Sequence, residues 1–223
     1  MLIQPYATTV EYRNVMFSKH RIEALSDAIF AIVMTLLVLD LKVPETIGPG
    51  GLLHALAADS ATWYSFFLTF LLASIFWVLQ HQVFDLLEAI SHQTLIPTFA
   101  FLGFVTILPF STALLGHHPG PLSFALYFVN MFALAASLTA KLEVSRAMNH
   151  VHGGFAMKVM RERLYSMCII MGGSSFAPLL LPRRSMWIVP VALVLVTRAV
   201  RYWLMRRWKR QDLLNSTSRE GLL

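Results

Sequence analysis

Apolar residues run in long blocks separated by short charged or turn-forming clusters, and these blocks set the expected architecture. A hydrocarbon core about 30 Å thick takes roughly 20 mostly apolar helical residues to cross. Segments near 20–41, 61–84, 94–115, 121–143, 164–181 and 185–205 meet that length, which predicts an all-α polytopic membrane protein of six transmembrane helices. The first segment ends at Asp40-Leu41-Lys42-Val43-Pro44, and Gly48-Pro49-Gly50-Gly51 is expected to stop any helix. The second carries Trp77, Gln80, His81 and Gln82 in its last turns, and the third contains Pro97 and then Leu108-Pro109-Phe110. A proline removes a backbone donor and clashes with the preceding turn, so a kink is predicted at Pro109. His117-His118-Pro119-Gly120-Pro121 makes a tight turn into the fourth segment, which holds Asn130 and emerges at Lys141-Leu142-Glu143-Val144-Ser145-Arg146. The longest connecting loop follows, with Gly153-Gly154 as its flexible point. Gly172-Gly173-Ser174-Ser175 in the fifth segment permits close helix approach.

Composition agrees with this pattern. The chain is 57% hydrophobic and 13% charged, with a mean hydropathy of +0.62, outside the range of ordinary soluble domains. Its net charge of +6 does not form one basic face: Lys and Arg gather in the N-terminal arm, the fourth-to-fifth loop and the C-terminal tail. Nucleic acid is therefore not an expected partner. The same distribution puts both termini in the cytoplasm, because basic residues favour that side of a membrane. The opposite loops carry only Lys42 and the pair Arg183-Arg184, whereas the second-to-third loop, with Asp85, Glu88 and His92, lacks the basic excess. The expected division is a cytoplasmic arm at 1–19, a membrane domain at 20–205 and a basic tail at 206–223, with Trp203, Arg206, Arg207 and Trp208 at the end of the sixth segment suiting the headgroup layer. The first twenty residues contain Glu11, Arg13, Lys19 and His20 and do not resemble a cleaved signal peptide. One cysteine, Cys168, permits no intramolecular disulfide and is expected to pack as a small hydrophobe.

Catalytic chemistry finds little support. There is no H-E-x-x-H, no G-x-S-x-G and no Gly-rich phosphate loop, so no catalytic residue, cofactor or metal site is expected. His150 and His152 lie in a loop without an acidic or cysteine partner nearby, and His117 with His118 has the same standing. Arg198 and Arg201 share the spacing of a voltage sensor but run straight into the basic tail, where anchoring explains them. The potassium-filter sequence T-V-G-Y-G is absent.

The remaining signal is Arg21-Ile22-Glu23-Ala24-Leu25-Ser26-Asp27, a charged stretch running directly into the first apolar helix. A carboxylate carried to membrane depth costs several kcal/mol unless it finds a partner or water. At about 100° per residue, Leu25, Ala28, Ile29, Ile32, Thr35, Leu36 and Leu39 share one helix face, with Asp27 nearly opposite and Ser26 on the flank. Trp77 and His81, one turn apart on the second helix, are the expected donors to Asp27. On periodicity alone the stripe reads as bundle packing.

The pattern Arg21-x-x-x-Leu25-Ser26-Asp27 closely resembles the R-x-x-x-F-S-D signature of transmembrane-protein-175 type potassium channels, with Leu25 in place of the usual Phe. The Trp77-x-x-x-His81 pair and Leu108-Pro109-Phe110 extend the resemblance, and six helices match one repeat of that family. The resemblance implies a potassium-preferring cation channel in a prokaryotic inner membrane, with no cofactor beyond the permeating potassium and other monovalent cations. Four six-helix units line such a pore with their first helices, so this chain is expected to form a homotetramer in membrane lipid. Carried over by register, the constriction falls on Ile32, Leu36 and Leu39 and the pore-facing threonine on Thr35. Arg21, Ser26, Asp27, Trp77 and His81 become the polar network that holds the pore helix. The alternative is a proton-coupled transporter with Asp27 and His81 as its relay.

Overall fold

The computed structural model describes residues 18–43, 50–151 and 154–180, together with Ala192. The expected sixth span (apart from Ala192), the N-terminal arm before Ser18 and the basic tail lie outside the described residues. Within them the chain is helical, apart from turns and isolated bridge residues that include the antiparallel pair Leu87 and Val151. Helix α1 covers Lys19–Leu36 and continues into a 3-10 turn, Leu37–Asp40. Then come α2 (Gly51–Ala58), α3 (Ser60–Leu86), α4 (His92–Thr106), α5 (Leu108–His117), α6 (Pro121–Ala147), α7 (Phe155–Ser175) and a short α8 (Ala177–Leu180).

Among the described residues four stretches are long and apolar enough to cross a membrane: Lys19–Asp40, Ser60–Leu86, His92–His117 and Pro121–Ala147. They correspond to the first four expected spans, and the protein is an integral membrane protein. The third is divided between α4 and α5. Ile107 caps α4 and Pro109 stands in the first turn of α5, where its missing N–H costs nothing. The expected kink is thus a break between two helices, bridged by hydrogen bonds from Ile107 N to Phe104 O and from Ser111 N to Ile107 O. Pro97 stays inside α4.

Helix α6 is the centre of the bundle: Phe124, Tyr127, Met131, Leu134, Leu138 and Leu142 are fully buried along its length. Helices α4, α5 and α7 pack on it, α5 also packs on α3, and α1 lies against α3 and α4. Close approach depends on glycine at two places. A Cβ on Gly116 would stand 2.7 Å from Ser65 Oγ and 3.1 Å from Thr62 Cα, so α5 and α3 meet there without a side chain between them. A Cβ on Gly172 would stand 3.0 Å from Phe132 Cδ2, which is the close α6–α7 contact expected from the small residues of the fifth segment.

The helix ends are pinned on one side of the bundle. Glu88 N donates to His150 O, next to the Leu87–Val151 bridge, and Lys19 Nζ donates to Leu87 O at 3.2 Å. The start of α1, the α3–α4 loop and the α6–α7 loop therefore share one side, as alternate crossings require. Glu143 accepts from Arg146 Nε and Arg161 Nε, both at 2.7 Å, and so ties α6 to the first turns of α7.

Two local features depart from the expectations. Gly51, at φ 75°, redirects the chain into α2 where Gly48 to Gly51 were expected only to end structure. Helix α6 runs past the expected exit near Glu143 to Ala147, and this carries Lys141 into the interior at 1% exposure.

Candidate functional site

Helix α1 has two apolar faces with different surroundings. Ser26, Phe30, Val33 and Leu37 face the bundle and are buried; the Phe30 ring lies 5.9 Å from that of Phe101, centroid to centroid. Leu25, Ile32, Leu36 and Leu39 face outward, with Ile32 59% and Leu39 69% exposed in the single subunit. Ala28 and Thr35 are exposed on the same side, whereas Ile29 sits at the edge and packs partly on the core. The stripe read from periodicity is therefore, except for Ile29, a surface that this subunit's own packing leaves uncovered. Thr35 Oγ1 donates to Ile32 O at 2.7 Å, bonding back to its own helix.

The flank of α1 carries the polar contacts. Trp77 Nε1 donates to Asp27 Oδ1 at 3.0 Å, and His81 Nε2 lies 3.3 Å from the same oxygen. The Trp77 and His81 rings are 4.4 Å apart, and His81 Nδ1 is 3.1 Å from Trp77 O. That carbonyl and the Asp27 carboxylate only accept, so both contacts of the imidazole are hydrogen bonds when both ring nitrogens carry protons. The i, i+4 spacing on α3 places the two rings one above the other and lets both reach one carboxylate. These three residues form a clamp across α1 and α3.

The other two residues expected in the network lie outside this hydrogen-bonded set. Arg21 is exposed, and its side chain makes no hydrogen bond or ion pair among the described residues. Ser26 is 1% exposed, faces the bundle interior, and its Oγ has no hydrogen-bond partner among the described residues. Three more buried polar atoms share that condition among the described residues: Gln80 Oε1 on α3, Lys141 Nζ on α6 and, in the α6–α7 loop, His150 Nδ1. Lys141 Nζ instead stands over the Phe84 ring, 3.1 Å from its centroid. Sequence reasoning did not find this buried lysine, because its position beside Glu143 and Arg146 reads as the start of a solvated loop.

No group of three or more His, Cys, Asp or Glu side chains that could hold a metal occurs among the described residues. His117 and His118 are exposed, and His150 belongs to the pinned loop; His152 lies outside the described residues. Cys168 is half-buried, 3.4 Å from Thr139 Oγ1.

Comparison with known proteins converges on the same stretch of chain. The family described as endosomal/lysosomal potassium channel TMEM175 matches residues 21–109, which begin at Arg21 of the motif and end at Pro109. A potassium channel of Streptomyces collinus is 37% identical over 125 residues, covering 54% of this chain and 61% of that protein. Another from Chamaesiphon minutus is 37% identical over 100 residues, covering 44% of this chain and 49% of that protein. The matches thus span about half to three fifths of these curated relatives. Among solved structures, the crystal structure of a lysosomal potassium-selective channel TMEM175 homolog from Chamaesiphon minutus superposes with a TM-score of 0.69. It covers 84% of this chain and 97% of that one at 24% identity, a likeness of fold.

Proposed function

From the match of residues 21–109 to the TMEM175 family and the likeness of fold to a TMEM175 homolog, we propose that the chain belongs to that family and is a potassium-preferring cation channel that acts as a homotetramer, with the α1 helices of four subunits lining the pore. The observation that carries this reading is the division of α1 into a buried face and an uncovered apolar stripe. The span containing α1 is the most apolar of the four, with a hydropathy of 2.2, yet only 22% of it is buried inside the subunit, against 61% for α6. Four copies of α1 meeting around an axis cover that stripe and form a passage from it.

Within such a passage Ile32, Leu36 and Leu39 form apolar rings, with Ile32 the tightest. A narrow apolar ring expels water and closes a pore without any charged barrier, so conduction requires slight widening. Thr35 sits between the rings and offers an oxygen in place of part of an ion's hydration shell. Asp27, Trp77 and His81 are not in the ion path; they fix the rotation of α1 about its own axis and so determine which side chains face the centre. Arg21 and Leu25 begin the stripe at the pore entrance. The permeating species are potassium and other monovalent cations, and the protein works embedded in membrane lipid. A prokaryotic inner membrane, with both termini in the cytoplasm, accords with the distribution of Lys and Arg.

The relatives are named as channels, which favours passive permeation over the proton-coupled transporter with Asp27 and His81 as relay, and over an enzyme. The direct clamp geometry supports the same choice, since both residues are committed to holding α1 against α3. Planar-bilayer recording of the purified protein with Ile32→Asn and Ile32→Ala is the test. Wider rings should raise conductance and lower the preference for potassium over sodium. Unchanged conductance and selectivity in both variants would remove Ile32, and the stripe with it, from the pore.

A further inference from the structure

We infer that Ser26, Gln80 and Lys141 enclose an internal hydration site behind the first helix, where ordered water joins the motif serine to α3 and α6. Each residue is 1% exposed, and Ser26 Oγ, Gln80 Oε1 and Lys141 Nζ have no hydrogen-bond partner among the described residues. One buried polar atom left unpaired costs about 1–3 kcal/mol, so three in one region call for partners that are not side chains. Internal waters with two to four polar neighbours are the usual solution.

The contacts of their neighbours place the three residues on adjoining stretches of α1, α3 and α6. Lys141 Nζ stands over the Phe84 ring, and Gln80 is one turn earlier on α3. Ile22 of α1 packs in the cluster that contains Phe84, and Ser26 lies one turn further along α1 on the same face. Asp27, the next residue, meets Trp77 and His81 on either side of Gln80, which fixes the two helices in this register. The charges that act on Lys141 from α1 are Glu23 and Lys19. Their chemistry is complementary: a lysine nitrogen donates, an amide oxygen accepts, and a hydroxyl does either. No pair among the three is directly bonded, so the donors and acceptors match through an intervening molecule. The aromatic face satisfies Lys141 electrostatically on one side only.

This site gives the motif two kinds of attachment. Asp27 is held by direct bonds, whereas Ser26 is held through exchangeable water, so α1 can shift against α3 at that level without leaving a polar atom bare. The consequence for gating rests on the channel reading above; the hydration site does not.

X-ray radiolytic labelling of the full chain in lipid nanodiscs tests the site, because radicals generated from ordered internal water modify the side chains beside it. Phe84 and Phe101 are both 1% exposed, and Phe101 lies among the apolar rings of Phe30 and Phe76. Phe84 should be labelled several-fold faster than Phe101 in the native protein, and Lys141→Met or Gln80→Leu should bring it down towards Phe101. Equal, slow labelling of the two phenylalanines in the native protein overturns the site, and this comparison needs no variant to fold. In bilayers Gln80→Leu should change open probability with unitary conductance unaltered. A native protein that passes no current removes the channel reading and leaves the labelling result intact.

Discussion

Removing the indole donor of the clamp gives a sharp energetic test of how α1 is held. Trp77→Phe deletes the N–H that reaches Asp27 Oδ1 at 3.0 Å while keeping an aromatic ring beside His81. A hydrogen bond to an ionised acceptor contributes about 1.5–3 kcal/mol, and an exposed ion pair about 0.2–1 kcal/mol. The Asp27 and His81 side chains are 46% and 38% exposed and Trp77 is 40% exposed, so water competes for every group. Solvent screening thus puts the Asp27–Trp77 coupling at about 1 kcal/mol, a factor of about five in an equilibrium constant. The assay is a double-mutant cycle: the native chain, Trp77→Phe, Asp27→Ala and the double variant, each unfolded by denaturant in one defined detergent. The double variant should lose about 1 kcal/mol less than the sum of the single losses. Losses that add to within about 0.3 kcal/mol would refute the clamp, because independent residues behave that way.

Two further outcomes follow from packing. Phe30→Ala, at a site 1% exposed, should cost about 3–5 kcal/mol of subunit stability, while Leu36→Ala, 42% exposed on the opposite face, should leave unfolding in detergent nearly unchanged and act on the current instead. Equal losses for the two would contradict the division of α1 into a core face and a free face. Gly116→Val should destabilise the α3–α5 contact by about 1–3 kcal/mol, since even its Cβ meets Ser65 and Thr62, whereas Gly103→Ala, with open space at the Cβ position, should be neutral or slightly stabilising in the same unfolding measurement.

Much of this arrangement is written locally. Hydropathy marks the four spans up to Ala147, Pro109 marks the division of the third, and helical periodicity separates the stripe of Ile32, Thr35, Leu36 and Leu39 from Asp27. Pairing Asp27 with Trp77 and His81 needed only the i, i+4 spacing and the cost of an unpartnered acid. What escaped local reading depends on contacts distant in sequence. Lys141 looks like the first residue of a basic exit, and only the Phe84 ring and the extra turn of α6 explain its burial. Ser26 and Ile29 differ from the simple stripe because α3 and α4 decide where the core edge falls. The α2 helix was hidden by two glycines, since positive φ at Gly51 starts a new direction as readily as it ends an old one. The Leu87–Val151 bridge joins two loops with no signal in either.

The short bond from Thr35 Oγ1 to Ile32 O bears on the sign of charge that a passage lined by α1 admits. A hydroxyl that spends its only proton on its own backbone turns just its lone pairs outward. In the proposed tetramer four such oxygens would present a ring of partial negative charge with no donor in it, so an approaching anion would find nothing to replace its lost water while a cation would. The lining would then discriminate against anions without a single ionised side chain, and with no buried charge whose neutralisation could switch that preference off.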